Sequence, residues 1–168
     1  VANTIVTKYP YFADPTGKKD STAIIQKALN DVHELGGGTV YLPAGQYLVT
    51  DTIYIPEGCL LIGDWQDPDT VASPEYGTII LAKPAVLDEK YLADRTRDPL
   101  FALDTNSSIE GLTFYYPNQN AAAPIPYGYT IHSYSNNTAT VRDVTLLNSY
   151  RGVGASLVRG DGHCIMQL

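Results

Sequence analysis

The strongest chemical constellation in this 168-residue chain is Val158-Arg-Gly-Asp-Gly-His163, with Arg151 a short way upstream. Arg159, Asp161 and His163 alternate, and on a strand alternation puts all three side chains on one face. A guanidinium, a carboxylate and an imidazole so placed could act as substrate clamp, base or acid, and orienter. Solvated charges on a glycine-rich corner are the plainer reading of the same residues, and Arg159-Gly-Asp161 also matches an integrin-type tripeptide that is common by chance. A second set is Asp64, Asp67 and Asp69, with Glu75 nearby, an oxygen-rich group of the kind calcium uses. Its spacing is not that of an EF-hand loop, and Pro68 marks a turn, so an acidic surface loop is the competing reading. The third set is Tyr115, Tyr116, Tyr127, Tyr129 and Tyr134 beside Asn118, Gln119 and Asn120. Sugars stack on aromatic faces and hydrogen-bond to amides, so these residues and Arg151 could line a glycan groove; tyrosines packed against a protein wall are the alternative. His132 reads as a wall residue, His33 as a helix-face residue, and Asn148 as a corner residue that tolerates left-handed geometry.

Composition narrows the classes. With 44% hydrophobic and 17% charged residues the chain suits one domain with a sizeable core. Thirteen Tyr, fourteen Gly and eleven Pro beside one Met and three Phe indicate a turn-rich β protein. A net charge of −7 and a pI near 4.7, without a basic patch, argue against a nucleic-acid partner. Calcium or a glycan suits that charge better. Cys59 and Cys164 are far apart and form no C-x-x-C, so buried free thiols are expected rather than zinc or a disulfide framework. No apolar run approaches the roughly 20 residues of a membrane helix. The chain starts at Val1 without Met, so the lack of a signal peptide says little about secretion. Asn106-Ser-Ser108 and Asn136-Asn-Thr138 match the glycosylation acceptor pattern.

The elements that must position these groups follow from periodicity. Over 21–35, Ala23, Ile24, Ala28, Leu29, Val32 and Leu35 recur at helical steps, with Asp20, Ser21 or Thr22 as N-cap and Gly36 as terminator. From Thr39 the period changes. Thr39–Leu42, Gln46–Thr50, Thr52–Ile55, Leu60–Ile62, Gly77–Leu81, Ile109–Phe114, Val141–Leu146 and Cys164–Leu168 read as strands between Pro, Gly and Asp corners. Short gaps suit hairpins as well as the coils of a parallel β-helix. Aligning Ile62, Ile80, Leu112, Val144 and Ile165 gives intervals of 18, 32, 32 and 21 residues, which one coil of about 20 residues plus insertions on one face would explain. Ser108–Phe114 and Thr140–Leu146 share one polar–apolar pattern and predict stacking. Long irregular stretches at 64–76, 84–98 and 115–129 are candidate functional loops.

These residues carry a family resemblance. Thr16-Gly17, Asp20, Thr22-Ala-Ile24, Gln26 and Ala28, then Gly37-Gly38, Val40, Pro43, Gly45 and Tyr47, then Leu61-Ile-Gly63 resemble the signatures of the pectate-lyase-like superfamily. That superfamily comprises single-stranded right-handed β-helices, found in polysaccharide-active enzymes and tailspike-type proteins. The likeness covers about the first 65 residues; Asp14-Pro15 and Ser21 depart from its pattern at the approach to the helix. It implies a mainly β, right-handed parallel β-helix with an N-terminal cap over 1–38 and coils over 39–168, the helix sealing the open first rung. By the same reading Gly36-Gly-Gly38 is a helix-to-strand turn, because a phosphate loop runs from strand to helix. The resemblance also implies a secreted or cell-surface carbohydrate-active enzyme. Such enzymes act by β-elimination with calcium and a basic residue, or by hydrolysis with paired carboxylates. A non-catalytic glycan-binding or tailspike-type scaffold is the alternative. Ile165-Met-Gln-Leu168 reads as a strand without a closing cap, so the expectation is a piece of a longer protein whose open coil is covered by the rest of that chain or by self-association.

Overall fold

The protein is described here by a computed structural model covering residues 2–67, 77–87, 99–134, 138–155 and 164–167. Arg159, Asp161, His163, Asp69 and Glu75 lie outside the described residues. Fifteen strands and one helix are present among those described, and every strand pairing is parallel.

The strands form three sheets. Sheet A stacks β1 (Ala2–Ile5), β3 (Gly38–Leu42), β6 (Cys59–Gly63), β9 (Ser108–Glu110), β12 (Ala139–Arg142) and β15 (Cys164–Gln167). Sheet B stacks β2 (Thr16–Asp20), β4 (Gly45–Val49), β7 (Thr78–Ala82), β10 (Thr113–Tyr115) and β13 (Thr145–Leu147). Sheet C stacks β5 (Ile53–Ile55), β8 (Phe101–Leu103), β11 (Tyr129–Ser133) and β14 (Arg151–Ala155). The chain visits A, B and C in turn and then starts the next coil, so each strand inside a sheet bonds the coils above and below it, and each end strand bonds one of them. The inward rows form the core: Val40, Leu61, Ile109 and Val141 on A, Tyr47, Ile80 and Phe114 on B, Ile53, Phe101 and Ile131 on C, all fully buried. Phe101 and Phe114 meet edge to face across the interior at 5.3 Å and 77°.

Two sequence expectations change. Ile109–Phe114 and Val141–Leu146 are each two strands broken by a corner, where Gly111 (φ 69°) and Asp143 (φ 51°) take left-handed backbone. The series Ile62, Ile80, Leu112, Val144, Ile165 is therefore not one ladder: Ile62 and Ile165 belong to A, Ile80 to B, and the other two to corners. The short internal repeat does stack residue on residue, Thr140 on Ser108, Val141 on Ile109, Arg142 on Glu110, Thr145 on Thr113 and Leu146 on Phe114. Glycine is required at the first of these corners, because a Cβ on Gly111 would lie 2.6 Å from the Gly63 carbonyl oxygen of the coil below. The insertions also fall differently. They join A to B after β6 and B to C after β7 and β10, so they border sheet B on both sides.

Helix α1 (Thr22–Glu34) closes the first coil, burying Ile25, Ala28, Leu29 and Val32. Ser21 is the N-cap by position but its hydroxyl caps nothing. Asp20 holds the turn instead, accepting from Thr22 N at 2.9 Å, Thr22 Oγ1 at 2.6 Å and Thr50 Oγ1 at 2.5 Å. Burial works against its ionisation, but the Thr22 and Thr50 bonds prevail and hold its pKa below the usual carboxylate value. Gly36 (φ 95°) ends the helix as expected. Strand β5 is the edge of sheet C, and Gln26 takes the place of the missing neighbour. Tyr54 N donates to Gln26 Oε1 at 2.8 Å, and Gln26 Nε2 donates to Tyr54 O at 2.9 Å. One amide thus satisfies both backbone groups of an edge residue.

Ahead of the helix, Asp14 accepts from Thr16 N, Thr16 Oγ1, Lys18 N and Lys19 N, and the Thr16 hydroxyl bond leads in drawing its pKa down to about 2. Because the folded value is depressed, this contribution is complete above the unfolded carboxylate range near 4 and is lost as pH falls toward about 2. An Asp14→Asn variant should therefore lose the part of the acid-unfolding profile that wild type shows between those values. Gln26→Ala should cost about 1–2 kcal/mol in urea unfolding, with Gln26→Glu, which keeps the acceptor and loses the donor, also below wild type.

Candidate glycan-binding site

On sheet C the residues between the inward rows face outward. Tyr54, Ala102, His132 and Gly154 stand in register across β5, β8, β11 and β14. Ala102 and Gly154 leave His132 between small neighbours, and two tyrosine rings close over it. The Tyr129 ring lies 5.3 Å away at 53°, the Tyr134 ring 4.5 Å away at 46°. His132 is only 2% exposed, and burial lowers its pKa, so the imidazole is neutral at neutral pH.

Arg151 is the parallel partner of Tyr129. Its guanidinium sits 5.7 Å from the Tyr129 ring and 5.9 Å from the Tyr150 ring, an Arg held by two aromatic faces. The strand beneath is pinned by Thr130 Oγ1 donating to Arg151 O at 2.9 Å. The chain of contacts Tyr150–Arg151–Tyr129–His132–Tyr134 crosses the outer face and ends in a groove on each side. One, of about 350 Å³, is lined by Asn120, Asn148, Ser149 and Tyr150 among others. The other, of about 380 Å³, is lined by Tyr54, Pro56, Ala102, Asp104 and Tyr134 among others. Tyr54 is 62% exposed, Tyr134 41% and Tyr150 40%. Two grooves joined by an aromatic and guanidinium ridge suit a ligand several rings long better than a compact one.

Of the residues expected from sequence, Tyr129, Tyr134 and Arg151 come together here. Tyr116 and Tyr127 do not. They are 1% and 2% exposed, their rings lie 5.2 Å apart inside the solenoid, and Tyr116 OH is bonded to Thr130 Oγ1 at 2.9 Å. Both are core residues, which corrects the expectation that they line a groove; burial pushes the Tyr116 phenol up to about 12. Tyr115 faces outward on sheet B, in register with Leu81 and Leu147, away from the ridge. The Gln119 amide shapes its own loop, donating to Ile125 O and accepting from Ile125 N and Asn120 N. His33 bonds Glu57 O at the helix end, and Cys59 is a buried free thiol, as expected. Tyr54, Tyr150 and Gly154 carried no sequence signal, because their partnership depends on register across insertions of unequal length.

Asp64 is committed to the A-to-B corner. Its oxygens accept Tyr41 OH at 2.8 and 2.7 Å, and Oδ2 also accepts Ala44 N at 2.9 Å. Among the described residues no three His, Cys, Asp or Glu side chains converge as a cation site. Of the Asp64, Asp67 and Asp69 set, Asp69 lies outside the described residues with Glu75, and the Asp64 carboxylate is engaged by Tyr41 and Ala44. The Arg142–Glu110 ion pair lies on the outer face of sheet A, apart from the ridge.

Gly154 is the position on which the ridge turns. A Cβ there would meet His132 Cδ2 and Tyr129 Cε1 at 2.9 Å each. Gly154→Ala should displace both rings and cost about 1–3 kcal/mol, visible as a lower melting temperature together with a changed near-ultraviolet tyrosine dichroism.

Comparison with known proteins agrees with this architecture. The family described as rhamnogalacturonase A/epimerase, pectate lyase-like, matches residues 9–102. Mannuronan C5-epimerase AlgE1 of Azotobacter vinelandii is 52% identical over 46 residues, 27% of this chain and 3% of that protein. Alginate lyase 7 of the same organism is 48% identical over 46 residues, 27% of this chain and 5% of that protein. The chain thus spans a small fraction of the length of these relatives. Among solved structures, the A-module of mannuronan C-5 epimerase AlgE6 from A. vinelandii aligns over 97% of this chain and 41% of its own, with a TM-score of 0.64 and 18% identity, a likeness of fold. With more than half of its residues matched, its parallel coils and its capping helix, the chain belongs to the rhamnogalacturonase A/epimerase family of pectate-lyase-like proteins.

Proposed function

We propose that this chain is a β-helix module, right-handed as parallel crossovers are, of an extracellular polysaccharide-modifying enzyme. In this reading the outer face of sheet C holds the polymer. The observation that carries the proposal is the ridge Tyr150–Arg151–Tyr129–His132–Tyr134 with a groove at either end. Exposed tyrosine faces stack on sugar rings, the amides of Asn120 and Asn148 meet hydroxyls, and Arg151 meets a negatively charged substituent. Buried neutral His132 keeps the two tyrosine rings apart and in place.

The relatives named as a C5-epimerase and an alginate lyase point to a uronate polymer rather than to hydrolysis of a neutral glycan. Inversion at C5 and β-elimination share a first step, removal of the C5 proton. The C5–H electron pair then spreads into the adjacent carboxylate, and a cation beside that carboxylate lowers the barrier. Return of a proton to the opposite face gives the epimer; expulsion of the O4 substituent gives an unsaturated end. Arg151 is the group we place at the carboxylate, with Arg159 as a second clamp, and Asp161 and His163 are those we assign to proton transfer. A binding module without turnover is the second reading, since the exposed rings of Tyr54, Tyr134 and Tyr150 with Arg151 suffice to hold a polymer.

The test is incubation with polymannuronate and polygalacturonate, with a neutral glucan as control. An unsaturated product absorbing in the ultraviolet supports the lyase, and inverted C5 signals in the proton spectrum support the epimerase. New reducing ends without either would overturn both. Arg151→Ala should weaken binding of a polyuronate about tenfold, as loss of one charge-assisted contact of about 1.5 kcal/mol implies, with little change in melting temperature. Unchanged binding would sink the site.

A further inference from the structure

The segment leading into the cap helix carries groups that the solenoid does not use. Phe12 adopts φ 53°, left-handed backbone that a bulky residue takes up only under strain. Burial does not offset that strain, since the ring is 65% exposed and meets the ring of Tyr9, itself 83% exposed, edge to face at 6.2 Å and 74°. Beside it runs a groove of about 430 Å³ lined by Thr7, Phe12, Asp14, Thr16, Lys18 and Lys19 among others. The Asp14 carboxylate faces the backbone, saturated by Thr16 N, Thr16 Oγ1, Lys18 N and Lys19 N, and so draws the two-lysine strand around itself. Lys18 and Lys19 are exposed, and neither forms an ion pair among the described residues. In a chain of net charge −7, two adjacent ammonium groups beside an exposed aromatic pair depart from the general pattern of the surface.

We infer that this groove is a second binding site for an acidic polysaccharide, in which a sugar ring stacks on Phe12 and a carboxylate meets Lys18 and Lys19. It shares no lining residue with the ridge on sheet C. The class of polymer rests on the function proposed above; the site itself rests on its own geometry. Aromatic face, ammonium pair and threonine hydroxyls are the three contacts a uronate ring offers partners for. Strain at Phe12 is explained if the left-handed turn serves to hold the ring out over the groove.

The test uses the full chain and sodium polymannuronate, with a neutral glucan as control, by titration calorimetry at low and high salt. Lys18→Ala combined with Lys19→Ala should lower affinity roughly three- to tenfold and flatten the salt dependence, with the glucan unaffected. Phe12→Gly should weaken binding while raising the melting temperature, because glycine accepts the left-handed backbone without strain; a merely structural Phe12 would lower it. Wild-type affinity in the double lysine variant would overturn the inference, as would a change confined to self-association in sedimentation, which would make a second copy the occupant. Arg151→Ala separates the two sites. If it abolishes binding while the lysine variant binds normally, the ridge stands and the cap site falls. If the lysine variant weakens binding while Arg151→Ala does not, the reverse holds. No binding of the polymer by wild type sinks both.

Discussion

Every interior strand among the described residues bonds to the coil above and the coil below, and that single constraint organises the molecule. A parallel strand cannot satisfy its N–H and C=O groups within its own coil, so an end coil is an open edge. The cap helix answers this by two means at once. Its apolar stripe, Ile25, Ala28, Leu29 and Val32, covers the first rung, while the Gln26 amide pairs with both backbone groups of Tyr54. Covering apolar surface alone would have left those groups facing side chains that can neither donate nor accept.

Stacking also fixes what the outside of the solenoid can offer. Alternation assigns each strand residue to the core or to the surface, and parallel register then aligns surface residues from coils far apart in sequence. Tyr54 and Gly154 share one outward row with Ala102 and His132 only because insertions of very different length return the chain to the same register. Tyr116 is buried while Tyr129 stands beside Arg151 and His132, although both are loop-edge tyrosines in the sequence. Site and core are thus two faces of one pairing pattern, and this is why Gly154, which contacts no ligand in any reading, controls the ridge.

Legibility followed the range of the interactions. The helix over 22–34 was readable to within a residue at either end, because its stripe, Asp20 and Gly36 act locally. The corners at Gly111-Leu112 and Asp143-Val144 were hidden inside apolar runs that read as single strands; a left-handed residue within such a run was the available signal. Asp64 looked like a cation ligand by residue type, yet its donors, Tyr41 and Ala44, lie about twenty residues earlier in the chain and come to it only through the A-to-B corner.

By itself the sequence determined the sealed end, the parallel-coil architecture and the family, because caps, glycine turns and the Ser108/Thr140 repeat are local patterns with local causes. It also supplied the inventory of tyrosines and Arg151. Only tertiary structure decided which tyrosines belong to the core and which to the ridge, that His132 is a buried spacer between two rings, and that Lys18 and Lys19 share a groove with a strained Phe12. The physical reason is that register across a solenoid is set by hydrogen bonds between coils, and insertions between strands erase from the linear chain the spacing those bonds restore.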